Sequence, residues 1–199
     1  MVRYRGPKHK LSRREGVNLT GTTSPSLQRR LGVPPGQARP RQRQSEYAIR
    51  LRAKQRVKRQ YGMLERDFRR YFEQASKMPG DTGENLLVLL EHRLDTVVYR
   101  LGFARTRPMA RQLVNHGHVL VNERRVNIPS SRVQVGDIIQ LTEKAMRIPV
   151  VQEELAMSPA RLPSWLMREG SVGRVIGAPQ RSEIDPDIRE NLIVEFYSR

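Results

Sequence analysis

Apolar positions along this chain recur with two different periods. Leu64, Phe68, Tyr71, Phe72 and Ala75 fall at i, i+4, i+7, i+8 and i+11, the spacing of one helical stripe. Met78-Pro79-Gly80 stops that helix. Asp81 and Glu84 then stand at capping-box spacing, and Leu86, Leu90, Leu94, Val97, Val98 and Leu101 predict one long helix as far as Gly102. Thr106 predicts the cap of a further short helix, with Pro108 in its first turn, Ala110, Leu113 and Val114 inward, and Gly117 at its end. There the period changes to 2. Val119 and Val121 alternate with Leu120 and Asn122, and Val126 and Ile128 answer them across Asn122-Glu123-Arg124, which predicts a hairpin. After Val133-Gln134-Val135 the turn pair Gly136-Asp137 leads into a strand from Ile138 to Leu141. Two helices, a hairpin and a strand in so short a stretch make one compact α+β unit.

The flanks are less regular. Before residue 45 the apolar residues Tyr4, Leu11, Leu19, Leu27, Leu31 and Val33 stand alone among cations, and Gly32 to Pro40 (GVPPGQARP) reads as extended, because proline restricts both itself and the residue before it. Ser45 predicts a helix cap, followed by a weak stripe of Tyr47, Ala48, Leu51 and Gln55. Arg50, Lys54 and Lys58, with Arg52, Arg56 and Arg59, cover the remaining circumference. Towards the C-terminus the pattern predicts a helix around Val151 to Met157, a Pro-rich stretch at 159–163 before Trp165, a Gly-punctuated strand at 170–177 and a terminal strand from Ile193 to Tyr197. The expected organisation is α+β: a basic extended arm at 1–44, a mostly helical domain at 45–92 on which 180–199 pack, a small two-helix and β-hairpin domain at 93–155, and a C-terminal segment with short strands at 156–199.

Charge changes this picture more than composition does. The 199 residues are 37% hydrophobic and 6% aromatic, a modest core for the length, whereas 37 Lys and Arg against 20 Asp and Glu leave a net charge of +17. The excess is concentrated. Residues 1–60 carry 17 basic and 2 acidic side chains, a net of +15, and residues 92–147 carry 10 and 4, a net of +6. Residues 61–91 hold 4 and 6, and residues 148–199 hold 6 and 8, a net of −2 each. So large an excess implies a polyanionic partner, nucleic acid ahead of an anionic membrane surface. Like charges in the first sixty residues repel one another in water and would be neutralised by phosphates. No apolar run approaches the roughly 18 to 20 residues that span a bilayer. The basic opening from Met1 to Arg14 is followed by polar residues, so no secretory signal is expected. Without cysteine there is no disulfide framework, no thiolate zinc site and no cysteine nucleophile.

Catalytic motifs are missing: the chain contains no Gly-Lys-Ser/Thr phosphate loop, no Gly-x-Ser-x-Gly elbow and no His-Glu-x-x-His. Of the four histidines only His116 and His118 are neighbours, at a helix-to-strand junction with no carboxylate close in sequence, so a phosphate contact or a turn role is expected and a metal is not. Glu153-Glu154 and the pair Asp185 and Asp187 are expected on solvated faces. The chemistry points instead to arginine. Arg100, Arg105, Arg107 and Arg111 lie where two predicted helices meet, Arg107 and Arg111 share a face at i, i+4, and Arg124 and Arg125 follow at the hairpin tip. Between Gly102 and Asn122 there is no Asp or Glu, so these arginines are expected to form an unmatched phosphate-binding face. Shape and backbone recognition of folded RNA fits this better than base reading in DNA, since no zinc finger, basic zipper or recognition helix is present.

The stretch from Glu91 to Leu141, with EHRLDTVVYRLGFARTRPMARQLVNHGHVLVN at its heart, closely resembles the small RNA-binding domain named after the fourth protein of the bacterial small ribosomal subunit. RYRGPKHKLSRREG, PPGQ at Pro34 to Gln37, QYGMLERDFRRYFEQA, GDTGENLL, Trp165-Leu166 and NLIVEFYSR resemble that ribosomal family over nearly the whole chain, in the family's order. The resemblance implies a structural constituent of the small subunit: a primary binder of the 5′ domain of its ribosomal RNA that nucleates assembly of the subunit body. It further implies a place near the path by which messenger RNA enters, beside the third and fifth small-subunit proteins, and an influence on decoding accuracy through the fifth. It implies a cytoplasmic ribosome, with an organellar one as the alternative, and no cofactor and no membrane. Matched by residue, Arg93, Arg100, Arg105, Arg107, Arg111, Gln112, His116, His118 and Asn122 would face RNA, with Asp95 orienting neighbouring arginines. Arg3, Arg5, Lys8, Arg13 and Arg14 match the basic opening. To these the charge pattern adds Arg50, Lys54, Lys58 and Arg124. Many relatives carry an N-terminal cysteine cluster that binds zinc; this chain has no cysteine, so no metal is expected and the arm is expected to be ordered by RNA. Where relatives have Arg and Asn around Arg-Leu-Asp, this chain has His92 and Thr96.

The same small domain is appended to pseudouridine synthases, methyltransferases and a tRNA synthetase, so an RNA-modifying or RNA-charging enzyme is the alternative. It would need a catalytic domain elsewhere, and residues 1–90 are too basic and 142–199 too short for one. A free-standing ribosome-binding factor would have the domain and a basic tail, without a resemblance along the whole chain.

Overall fold

The computed structural model describes residues 4, 6–36, 43, 45–157 and 162–198. The chain divides into two compact units, one formed by Met1–Leu86 with Pro186–Arg199 and the other by Leu87–Asp185.

The first unit is helical. Its opening is not extended throughout: α1 (Lys8–Glu15) and α2 (Pro25–Arg30) form within it, a correction to the expected arm. Gly16 ends α1 in the left-handed region at φ 70°, and the buried Ser12 accepts a hydrogen bond from the Leu19 backbone. Leu19 and Leu27 are buried, so two of the isolated apolar residues do anchor the segment. Of the stretch expected to be extended, residues 37–40 lie outside the described residues. α3 (Glu46–Gln60) starts at Ser45, whose hydroxyl accepts from the Ala48 amide as expected. Its buried positions are Val57 and Lys54, while Tyr47, the head of the expected stripe, is exposed. α4 (Glu65–Ala75) buries Phe68 and Ala75 of the predicted stripe.

The C-terminal residues Ile193 to Tyr197 were expected as a strand and are instead part of a helix, numbered α10 (Glu190–Tyr197). β-branched and aromatic residues favour strands only where a sheet receives them. Here Ile193, Phe196 and Tyr197 fall at i, i+3 and i+4, so a helix puts them on one face. Tyr197 stacks on Phe72 at 4.6 Å between ring centroids, and Phe196 lies 5.7 Å from Tyr47. Lys54 reaches through this cluster, 4.2 Å from the Phe196 ring, to Glu65 Oε1 at 2.6 Å.

Glu65 is the polar centre of the unit. Burial opposes its ionisation, but hydrogen bonds from Lys54, Lys58 and Tyr197 outweigh burial and hold its carboxyl at about 2. A carboxylate whose pKa is depressed in the folded state adds stability that is complete above its unfolded value, near 4.5, and is lost as the pH falls towards 2. Helical circular dichroism melts between pH 6 and pH 2.5 are therefore expected to show a loss of stability on acidification. Glu65→Gln is expected to flatten that part of the profile; an unchanged slope would remove Glu65 from the account.

The second unit is α+β. One helix was expected from Leu86 to Leu101. Two form, α5 (Thr82–Glu91), whose first turn belongs to the first unit, and α6 (Leu94–Arg100), a correction with a tertiary cause. The amides of Leu94 and Asp95 donate to the carbonyls of Ser131 at 2.8 Å and Pro129 at 3.1 Å, and Val133 donates to the carbonyl of His92 at 2.9 Å. A segment far along the chain thus takes over backbone groups that a continuous helix would use, and Arg93 pairs with Arg132 as an isolated bridge. α7 (Arg107–Asn115) is capped by Thr106, which accepts from the Met109 amide.

β1 (Val119–Val121) and β2 (Arg124–Arg125) form the hairpin through a two-residue turn with positive φ at Asn122 and Glu123, 49° and 66°. β2 is shorter than expected, and Ile128 is exposed beyond it. β3 (Ile138–Leu141) is followed by α8 (Glu143–Met146) and α9 (Pro149–Ala156), then by β4 (Leu166–Glu169) and β5 (Val172–Val175). A short 3-10 turn at Arg181–Glu183 closes the unit. The five strands run antiparallel in the order β2-β1-β3-β5-β4. Leu94, Val97, Leu101, Leu113 and Val114 pack with Ile139, Trp165 and Val175 in the unit's core. Gly173 is what lets α6 come so close to the sheet: a Cβ there would meet Leu101 Cδ2 at 2.7 Å and Cγ at 3.0 Å.

Candidate nucleic-acid interface

The helix junction of the second unit gathers four arginines around two buried carboxylates. Glu91, with a side chain 1% exposed, ends α5 and accepts from Arg100 through both oxygens, at 2.8 Å from Nε and 2.7 Å from Nη2. Its Oε1 also stands 3.8 Å from Arg107 Nη2. Asp95, in the first turn of α6, accepts from Arg93 at 3.0 and 2.7 Å, and its Oδ2 stands 3.6 Å from Arg111 Nη1. Arg107 and Arg111, one helical turn apart on α7, therefore each lie over one acid of the preceding helices. Arg107 also lies over the Tyr99 ring at 4.6 Å, a cation–π contact that orients the guanidinium plane.

This corrects the expectation that no acid matches these arginines. None lies near them in sequence on their C-terminal side; Glu91 and Asp95 come from before Gly102 and reach them through the fold. It also divides the expected RNA-facing residues. Arg93 is 3% exposed and closed on Asp95, so it supports the surface and does not present itself. Arg105, expected beside Arg107, is drawn to α9, donating to Glu154 at 2.9 Å and Glu153 at 3.0 Å; those two acids, expected on a solvated face, hold it. Asn122 is committed to the turn: its side-chain amide donates to Asp137 at 2.7 Å and its carbonyl oxygen accepts from Ile138 at 2.9 Å. Gln112, His116 and Arg124 are exposed.

Past the end of α7 the surface stays cationic. The His116 and His118 rings lie 6.1 Å apart. Gly117 between them has φ 69°, and the Arg125 side chain crosses so close that a Cβ on Gly117 would meet its Cδ at 3.0 Å. Burial pushes His118 below the ordinary histidine range, and the positive charges of His116, Arg125 and Lys144 push the same way. Among the described residues no group of three or more His, Asp or Glu side chains converges as a metal site.

The cations expected from the first unit are mostly occupied. Arg50 pairs with Glu46 at 2.9 Å and with Glu195 at 2.5 Å, Lys58 donates to Glu65 at 2.8 Å, and Lys54 is 4% exposed in the same network. Arg52 and Arg59 both pair with the buried Glu15, and Arg56 pairs at 2.9 Å with Asp187, which stays on a solvent-exposed face. Arg13 donates to the carbonyls of Val33 at 2.9 Å and Pro34 at 3.1 Å. Lys8 and Arg14 are exposed on α1, whereas Arg3 and Arg5 lie outside the described residues.

One residue absent from the expected set holds the site's scaffold. Arg168 of β4 donates to the carbonyls of Leu101, Gly102, Glu154, Leu155 and Gly170 at 3.0 to 3.3 Å. One guanidinium thereby donates to carbonyls at the ends of both α6 and α9, where a helix runs out of its own amide donors.

The family model described as "Ribosomal protein S4/S9 N-terminal domain" matches residues 3–91, and that described as "S4 domain" matches residues 92–139. A protein of Geobacillus sp. (strain WCH70) named "Small ribosomal subunit protein uS4" is 51% identical over 203 residues, covering 100% of both chains. Proteins of the same name from Rubrobacter xylanophilus and Dictyoglomus thermophilum are 48% and 51% identical, again over 100% of both chains.

Proposed function

The chain belongs to the uS4 family of small ribosomal subunit proteins, and from that premise we propose that it is a primary binder of the 5′ domain of small-subunit ribosomal RNA that nucleates assembly of the subunit body. The family is a structural one with an RNA-binding S4 domain, not an enzymatic one. The observation that supports the finer reading best is the row formed by Arg100, Arg107 and Arg111, carried on by Gln112, His116, His118 and Arg124. Arginines gathered at one helix junction are the residue type that phosphates of folded RNA recruit. Lys8 and Arg14, with Arg3, Arg5 and Arg13, form the second contact, to which the largely covered, ion-paired Arg50 and Lys58 add their charge.

In this reading residues 1–44 act as a basic arm, 45–92 with the C-terminal residues as a helical platform, 93–155 as the RNA-binding domain and 156–199 as a connecting segment. The third and fifth small-subunit proteins and messenger RNA at its point of entrance are the neighbours, the fifth through the C-terminal block with an effect on decoding accuracy, in a cytoplasmic ribosome.

The test is the salt dependence of binding to small-subunit RNA. A footprint of about six to ten phosphates releases enough counterions for a log-log slope of roughly −5 to −9. A slope near zero, or a protein that stays in the supernatant when small subunits are sedimented at moderate salt, would refute the proposal.

A further inference from the structure

Glu91 and Asp95 carry two negative charges among four arginines, on a surface whose partner is itself anionic. By simple electrostatics they should weaken the attraction for RNA. Their geometry argues the opposite. Each is almost fully buried, each closes a bidentate pair with one arginine, and each also lies within 4 Å of one of the two α7 arginines. An arginine side chain loses rotamer entropy when it is fixed. Arginines already held by buried acids have lost much of it before RNA arrives, which lowers the cost of binding.

We infer that Glu91, together with Asp95, is a positioning residue for phosphate recognition: it touches no RNA, and it holds Arg100 and Arg107 at the spacing and plane that phosphates meet. Asp95, itself held by Arg93, does the same for Arg111. The arrangement leaves a net charge of +2 on the cluster, which a polyanion completes. This inference rests on the RNA-binding reading above.

Glu91→Gln separates it from the alternatives because the predicted signs differ. The substitution removes one negative charge, so plain electrostatics predicts tighter binding; lost positioning predicts weaker binding. A contact that merely glues helices together changes stability alone, and leaves the affinity of folded protein untouched. We expect the affinity for small-subunit RNA, at fixed salt and below the melting temperature, to fall about tenfold, the scale of coupling within one charge network. Glu91→Asp should recover part of the loss. In a double-mutant cycle, Arg107→Ala should cost less affinity in the Glu91→Gln background than in the wild type.

Binding by Glu91→Gln as tight as wild type or tighter, or strictly additive effects in the cycle, overturns the inference and leaves the RNA-binding reading standing. Should Glu91→Gln melt below the assay temperature, Glu91→Asp carries the test: it keeps the charge but shortens the reach, and wild-type affinity for it overturns the inference. Wild-type protein that fails to bind the RNA overturns both.

Discussion

Replacing Arg107 and Arg111 together by alanine is expected to weaken binding to small-subunit ribosomal RNA by roughly 2 to 4 kcal/mol, about 30- to 1000-fold. Each guanidinium contact to a phosphate has the strength of a charge-assisted hydrogen bond, about 1.5 to 3 kcal/mol, with some overlap between adjacent sites. The fold is expected to survive. Both residues lie outside the core, alanine is a better helix former than arginine, and Glu91 and Asp95 keep their bidentate partners Arg100 and Arg93. Trp165, the chain's single tryptophan, lies buried in the core of the same unit, so its fluorescence reports the fold of each variant directly. Loss of two charges lowers affinity by itself through counterion release. A charge-matched variant that removes the exposed Arg66 and Arg174 is therefore the comparison, and it is expected to keep most of the affinity. Equal losses in the two variants would put the RNA surface elsewhere.

The second large effect is on stability. Arg168→Ala is expected to destabilise residues 87–185 by about 3 to 5 kcal/mol, because it removes several charge-assisted hydrogen bonds from a half-buried guanidinium to carbonyls at two helix ends. For a domain of this size each kcal/mol shifts the melting temperature by about 4 to 8 °C, so the Trp165 transition should move by more than 10 °C. Arg168→Lys should rescue little, since one ammonium cannot reach carbonyls on two elements at once. A transition within about 2 °C of wild type would show that water replaces the guanidinium at no cost. Burial already pulls Arg168 below the ordinary arginine range, with Glu154 opposing, which fits a cation held by backbone dipoles more than by a counter-charge.

Arg168 also shows where the sequence is opaque. It lies in a segment with few periodic signals, and apart from Gly170 its partners are 13 to 67 residues away. Glu91 left a trace that could be read: Leu87, Glu91, Leu94 and Val98 fall at i, i+4, i+7 and i+11, so a charged side chain stands on an apolar stripe. A charge in that position is costly unless paired, and it predicts a buried partner. Lys54 signals the same thing more weakly, on a helix whose apolar stripe is itself weak.

The charge blocks are reinterpreted on the same physical ground. Acids from the two nearly neutral blocks, Glu65, Asp187 and Glu195 in the first unit and Glu91, Glu153 and Glu154 in the second, are the partners of cations that looked unmatched.

By itself the sequence determined the class of partner, the helix caps at Ser45 and Thr106, the α4 stripe and the change of period near residue 119. Each depends on residues within a few positions of one another. Only the tertiary structure decided that the helix breaks at Arg93, that Ile193 to Tyr197 coil as a helix, and which arginines stay at the surface. Those outcomes turn on pairs such as Arg50 with Glu195 and Tyr197 with Glu65, 145 and 132 positions apart, whose distances no local pattern encodes.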